Sequence, residues 1–262
     1  MSSSQEPPGS SVTASSPAGI YDYLLGGSHH SAADREAAEK ALAIAPEIRF
    51  GALENRAFMQ RSVRYIAEQG VNQYIDIGSG YPTAGPVHEI AREILADPRV
   101  LYVDYDPVVA ALSRELLKTP NAVTAVHDLR RPWEIIDDPA AVHLIDWSEP
   151  VAVLMVAILH FITDEENPAE IIATFRDHMV PGSYLVLSHV SQGENPDAAE
   201  EAAQVWDSAK SPVTLRAPSD IENLFAGFEL IPPGLVTATE WGTTEPAPTG
   251  QALVLAGVGR VP

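Results

Sequence analysis

The sequence predicts an α/β fold built around a mostly parallel sheet, and three observations predict it. Short apolar runs alternate with helix-like stretches between residues 73 and 188, the pattern of βαβ units. The first run, 73–77, leads straight into Gly78-Ser79-Gly80, where glycine lets the chain turn sharply and a ligand come close. The last two runs, 228–231 and 252–256, are joined without a clear crossover helix, so they are most simply antiparallel neighbours.

The elements follow in order. Residues 1–17 are mostly Ser, Pro and Gly and read as a disordered tail. Residues 18–69 read as an N-terminal helical cap. Within it Ser31 is placed to cap a helix whose first turn holds Asp34, and Pro46 ends that helix. Leu53, Ala57, Val63 and Ile66 then recur near helical spacing up to Gly70. Residues 70–262 form the core, opening on the strand 73–77. A helix at 86–95 starts on Pro86, at a position where a missing N–H costs nothing. A strand at 100–103, a helix at 107–118 and a strand at 122–126 follow. The apolar run 151–159 suits a strand covered on both faces. A helix at 169–179, a buried strand at 183–188 and a short helix opening at Ser219-Asp220-Ile221-Glu222 precede the last two strands.

Composition narrows the function. The chain has 36 Asp+Glu against 16 Lys+Arg, a formal charge of −20. That sign opposes phosphate-tracking nucleic-acid binding and attraction to an anionic membrane surface. No cysteine is present, which excludes disulfides, thiolate metal sites and cysteine nucleophiles. His29 and His30 are adjacent rather than spaced i, i+4, so no metal site is expected. The first residues hold no signal-peptide core, and the longest apolar run is far below the ~20 residues that span a bilayer. The expectation is a soluble, cytoplasmic protein.

Chemistry gathers at Asp76-Ile77-Gly78-Ser79-Gly80. Asp104 ends the next strand, about where a ribose-binding carboxylate is expected. A dinucleotide fingerprint would continue to a third glycine, whereas this chain continues Tyr81-Pro82-Thr83. Asp76 directly before the glycines would repel a pyrophosphate but hold an ammonium. A cationic sulfonium carrying an amino acid fits this turn better than a dianion.

These residues carry a resemblance. Asp76-Ile77-Gly78-Ser79-Gly80, Val103-Asp104-Tyr105-Asp106-Pro107 and Val126-His127-Asp128-Leu129 resemble the first three motifs of class I S-adenosylmethionine-dependent methyltransferases. The chain further resembles the S-adenosyl methyltransferase family common in actinomycetes, formerly a domain of unknown function. That likeness rests on the stretch Ile20 through Gly27, Ala33-Asp34-Arg35, Asn55-Arg56-Ala57-Phe58, Gly80-Tyr81-Pro82-Thr83, Leu159-His160-Phe161 and the stretch Tyr184 through His189.

The resemblance implies a Rossmann-like class I methyltransferase fold, with a seven-stranded, mostly parallel sheet ending in an antiparallel hairpin. It implies S-adenosylmethionine as cofactor, with Asp76, Gly78, Ser79 and Gly80 along its methionine part and ribose edge. Asp104 would take the ribose hydroxyls, Tyr105 would pack on the adenine, Asp128 would accept from its amino group and Leu129 would cover the ring. The family's Lys-Asp-Asn-like stretch after Gly26-Gly27 is Ser28-His29-His30 here.

Three further residues are candidates with two readings each. Tyr21 lies in a segment, 21–27, that is either a mobile lid with glycine hinges or a short helix on the sheet ended by Gly26. Arg56 either pairs with the cofactor carboxylate or is solvated on its helix. His160 follows the fourth strand, where the ligand crevice of an open α/β sheet lies, and either accepts the acceptor's proton or is structural. The expected activity is methyl transfer to a small-molecule acceptor in an enclosed pocket. A non-catalytic sensor of the cofactor and a nicotinamide-dependent oxidoreductase are the alternatives.

Overall fold

The structure, a computed structural model, describes residues 14–192, 212–243 and 254–262. The expected tail lies outside these residues up to position 13. Its last residue, Pro17, opens α1 (Pro17–Leu24), and Ser16 caps that helix by accepting from the Gly19 amide. α2 (Ala32–Ile44) begins with the capping box foreseen at Ser31 and Asp34. α3 (Glu47–Glu68) starts six residues before Leu53, because Pro46 caps the new helix as well as ending the old one.

The sheet is formed by β1 (Gln73–Ile77), β2 (Arg99–Asp104), β3 (Ala122–Val126), β4 (Ala152–Val156), β5 (Tyr184–Val190), β6 (Glu229–Leu230), β7 (Val236–Thr237) and β8 (Val254–Arg260). Its order is β3-β2-β1-β4-β5-β8-β6, with β7 also paired to β8. The first five strands are parallel, and β8 runs antiparallel to β5, β6 and β7. β6 and β7 take successive stretches of the same β8 edge, so eight segments fill seven strand positions. The expected single strand at 228–231 is thus cut short, and the chain resumes pairing beyond Pro232-Pro233, where prolines cannot donate to a ladder. The part of the last expected strand at 252 and 253 lies outside the described residues.

Remaining helices are α4 (Val87–Arg92), α5 (Pro107–Leu116), α6 (Pro132–Ile136), α7 (Pro139–Leu144), α8 (Pro168–Arg176) and α9 (Pro218–Asn223). Alternation along the strands sends successive side chains to opposite faces. Tyr74, Val100, Tyr102 and Leu154 meet Phe58, Val63 and Ile66 of α3 and Val87 and Ile90 of α4. Ile75, Ile77, Leu101, Val103 and Val153 meet Ile171, Phe175 and Ile221 on the other face. Each such buried side chain contributes roughly 1.5–3 kcal/mol. The same alternation puts Asp76 and Asp104 on the α3 face at the carboxyl ends of β1 and β2.

α1 packs on α2 and α3 through Ile20 and Leu24, not on the sheet. It ends as the helix reading expected, with Gly26 left-handed at φ +79 and the Gly27 amide donating to the Asp22 carbonyl at 2.8 Å. Two carboxylates fasten it. Asp34 accepts from the amides of Ser16 and Ser31, both at 2.7 Å. Asp22 accepts from the amides of His29 and His30 and from the Thr83 hydroxyl. Among the described residues no helix is long and apolar enough to cross a membrane, and no cluster of three or more metal-ligating side chains is found.

Candidate active site

A cavity of about 430 Å³ opens over the carboxyl ends of β1, β2, β4 and β5, where ligands of open α/β sheets bind. Every candidate from the sequence lines it: Tyr21, Arg56, Asp76, Gly78, Ser79, Gly80, Asp104, Tyr105, Asp128, Leu129 and His160. α1 and α3 form its roof, and β1 and β2 supply its acidic edge.

The glycine turn has the backbone its composition foresees. Gly78 and Gly80 sit at φ +69 and +58, and the amides of Gly78 and Ser79 both donate to the Val103 carbonyl. A Cβ on Gly78 would stand 2.6 Å from Ile158 Cδ1. In front of Gly80 the nearest atom to an added Cβ is Ala18 Cβ at 4.0 Å, so the chain there faces open space.

The two carboxylates behave differently. Asp104 accepts from the amides of Gly80 and Asp106, each at 3.0 Å. Burial nevertheless pushes its carboxyl up to about 6, with the Asp106 charge adding to the rise and the amide bonds opposing it. Asp76 has no hydrogen-bond partner among the described residues. Burial pushes it up to about 6 as well; the Arg56 cation opposes this and the Asp104 charge reinforces it. A site with two buried acidic groups, one of them without a hydrogen-bond partner among the described residues, is short of a cation and of donors.

Arg56 lies with its guanidinium carbon 5.5 Å from the Tyr21 ring centroid, and no carboxylate among the described residues reaches it. The Tyr21 hydroxyl donates to the Ala52 carbonyl and accepts from Asn55 Nδ2. Asn55 Oδ1 accepts from Ser188 Oγ at 2.5 Å, and Ser188 Oγ accepts from the Ala157 amide. That last bond holds Ala157 at φ +55, a conformation L-residues adopt at a cost of order 1–3 kcal/mol. Sequence reading placed Asn55 and Ser188 in stretches that carry the resemblance but gave neither a role, since their contact appears only when α3 meets β5.

At the cavity wall beyond β3, Asp128 is already engaged. Arg130 Nε donates to both its oxygens at 2.9 and 3.0 Å, and the Arg130 amide adds a third bond. Burial works against the Asp128 charge, but these bonds outweigh it and hold the carboxyl below its usual range. With about four acceptor directions on a carboxylate, one stays open. Arg130 also reaches Glu166 at 3.1 Å. Tyr105 is half exposed at the cavity rim, and Leu129 is buried.

His160 sits in a 3-10 turn, Leu159–Phe161, just past β4. Nδ1 of its ring is buried without a partner among the described residues. Burial, together with the charges of His189 and Arg216, holds it well below the usual histidine range, so the ring is neutral at pH 7. His189 lies inside β5 rather than after the fifth strand, and both its nitrogens are used. Nδ1 contacts the Val190 carbonyl at 2.7 Å and Nε2 contacts Arg216 Nη1 at 2.6 Å. Arg216 is almost fully buried; it also donates to the carbonyls of Leu159 and Ile162 and to Asp164. It therefore clamps the turn that carries His160. Nothing local in its sequence marks it, because its partners lie 27 to 57 residues away.

Comparison with known proteins identifies the family and the fold. The S-adenosyl methyltransferase family matches residues 4–262. A protein from Thermobifida fusca classed as a methyltransferase is 36% identical, with a TM-score of 0.92 over 99% of each chain. A DUF574 family protein from Streptomyces avermitilis is 33% identical, with a TM-score of 0.90 over 95% of this chain and 98% of that one. The plantazolicin methyltransferase, solved with S-adenosylhomocysteine, shares the fold at 10% identity, with a TM-score of 0.55 over 93% of this chain and 95% of its own. No curated protein matches.

Proposed function

The chain belongs to the S-adenosyl methyltransferase family, and from that premise we propose that it methylates a small molecule enclosed between its cap and its sheet. It is an S-adenosylmethionine-dependent methyltransferase of the Rossmann-like class I fold. Neither the sensor nor the nicotinamide-dependent reading finds support in these likenesses.

One observation carries the assignment of the site: two buried carboxylates, Asp76 and Asp104, share one sheet edge, each pushed up to about 6. Bound there, S-adenosylmethionine supplies a cationic sulfonium methyl donor, an ammonium and ribose hydroxyls. Asp76 faces the cationic methionine part, with Gly78, Ser79 and Gly80 giving it room. Asp104 keeps acceptor directions free for the ribose hydroxyls beyond those its two amides occupy. Tyr105 and Leu129 pack on the adenine, and Asp128 offers it the acceptor direction that Arg130 leaves. Arg56, unpaired and braced on Tyr21, meets the carboxylate of the ligand as a planar fork.

His160 is the proton acceptor of this reading. A neutral imidazole beside the reacting atoms can take a proton, while positioning in a closed cavity supplies much of the rate. Calorimetric titration of the purified protein with S-adenosylhomocysteine and, separately, NAD tests the site. Binding of the first and not the second is expected, and binding of NAD alone refutes the assignment.

A further inference from the structure

The cavity is electrically divided. Its charged lining residues come from the ends of β1, β2 and β3 and from Arg56, with Glu166 drawn to the same side by Arg130. The other half is walled by the first turns of α3, the ends of β4 and β5, segment 212–215 and the start of β8. Ile48, Val156, Ile158, Val190, Val213 and Val254 lie there, and among its described lining residues none is Asp, Glu, Lys or Arg.

Nearly every polar side-chain atom in that half is already committed. Asn55 spends its amide on Tyr21 and its carbonyl on Ser188. The Tyr21 hydroxyl both donates and accepts. His189 uses both ring nitrogens. His160 is the exception: among the described residues neither of its ring nitrogens has a partner, and Nδ1 is buried. Nδ1 is closed off from the cavity, which leaves Nε2 as the ring nitrogen that a ligand hydroxyl can meet there.

We propose that the methyl acceptor is an uncharged, mainly apolar aromatic molecule whose single hydroxyl is held by His160 in this half of the cavity. The proposal rests on the methyltransferase reading above. Among the described lining residues, an ammonium acceptor would find no carboxylate on this side and a carboxylate acceptor no cation beyond Arg56. Both would be buried without the pairing a charge needs. The depressed basicity of His160 further suits an acidic aromatic hydroxyl better than an aliphatic alcohol, since proton transfer favours matched partners. In the transfer the hydroxyl proton passes to the imidazole and the oxygen bonds to the methyl carbon. The carbon–sulfur bonding pair returns to sulfur, and the imidazolium then releases its proton to water.

The test uses the full chain saturated with S-adenosylhomocysteine, so that no turnover occurs. Three probes of one shape are titrated calorimetrically: 2-naphthol, 2-naphthoate and 2-naphthylmethylamine. Naphthol should bind about tenfold or more tightly than either ion, the span expected when a buried charge goes unpaired. His160→Leu and His160→Asn are both compared, in case one fails to fold. Each should leave S-adenosylhomocysteine binding unchanged while His160→Leu weakens naphthol several-fold. Either ion binding as tightly as naphthol overturns the proposal, as does failure of all three to bind. Loss of S-adenosylhomocysteine binding by the wild-type chain would instead overturn the cofactor site on which the proposal stands.

Discussion

Arg216 Nη1 meets Nε2 of His189 across 2.6 Å, and this contact fixes the protonation of a buried histidine. A guanidinium only donates, so Nε2 carries no proton and the Nδ1 proton goes to the Val190 carbonyl. Burial first, and then the Arg216 charge, pushes His189 down to about 4. His189 is therefore a neutral strut, and its ring stands edge-on to that of His160 at 5.7 Å between centroids.

Arg216→Lys keeps the charge but removes the fork that reaches two carbonyls, His189 and Asp164 at once. The expected cost is on the order of 2 kcal/mol, read as a lower Tm by thermal unfolding. Because the His160 turn loosens while the cofactor wall does not, kcat should fall with the S-adenosylhomocysteine Kd unchanged. An unaltered kcat would show that the clamp does not position His160.

Asp76→Asn separates stability from binding. A carboxyl raised from 3.8 to about 6 stays protonated in the fold where it would ionise unfolded. Its stabilising contribution is full below pH 4, shrinks between about 4 and 6, and has gone above that range. Relative to a group that stays neutral, the aspartate thus destabilises the fold at pH 7 by on the order of 3 kcal/mol. The amide should raise the Tm at pH 7 and weaken S-adenosylmethionine. In the wild type, affinity for the cationic ligand should rise as pH passes upward through 6, a slope the variant should lose in part. Titrations at pH 5 and pH 7.5 measure it.

Asp104→Ala should weaken S-adenosylhomocysteine by about 1.5–3 kcal/mol, the scale of hydrogen bonds to a charged group. It also frees the amides of Gly80 and Asp106, so some stability goes with it. Calorimetry on folded protein separates the two effects. Unchanged affinity would remove Asp104 from the ribose site.

Gly78→Ala tests the turn. The residue sits at φ +69 and a methyl would meet Ile158 Cδ1 at 2.6 Å. Left-handed strain of roughly 1–2 kcal/mol plus a displaced Ile158 should lower the Tm and the S-adenosylhomocysteine affinity together. Urea unfolding with and without ligand reads both.

The central sheet was legible because buried parallel strands write themselves as short apolar runs, and Gly78 and Gly80 mark where the first one ends. The acidic edge was legible too, since Asp76 and Asp104 stand at strand ends. α6 and α7 were not, being five and six residues long, too short for a helical period to repeat. The split between β6 and β7 escaped because two-residue strands have no alternation to detect. The roles of Asn55, Ser188, Arg130 and Arg216 escaped for another reason: each acts through a partner that only the tertiary fold brings near, or, for Arg130, through competition for an aspartate already given a role.

The tethering of α1 has an outcome of its own. Ser16, Pro17, Ala18, Tyr21 and Leu24 wall the cavity, yet the helix is held by Asp34 and Asp22 rather than by the sheet. A version of the chain starting after residue 27 would keep its seven strand positions and its acidic edge but present them as an open trough. Water would then reach the floor of the cavity, so enclosure here is supplied by the leading segment and the acidic edge by the rest.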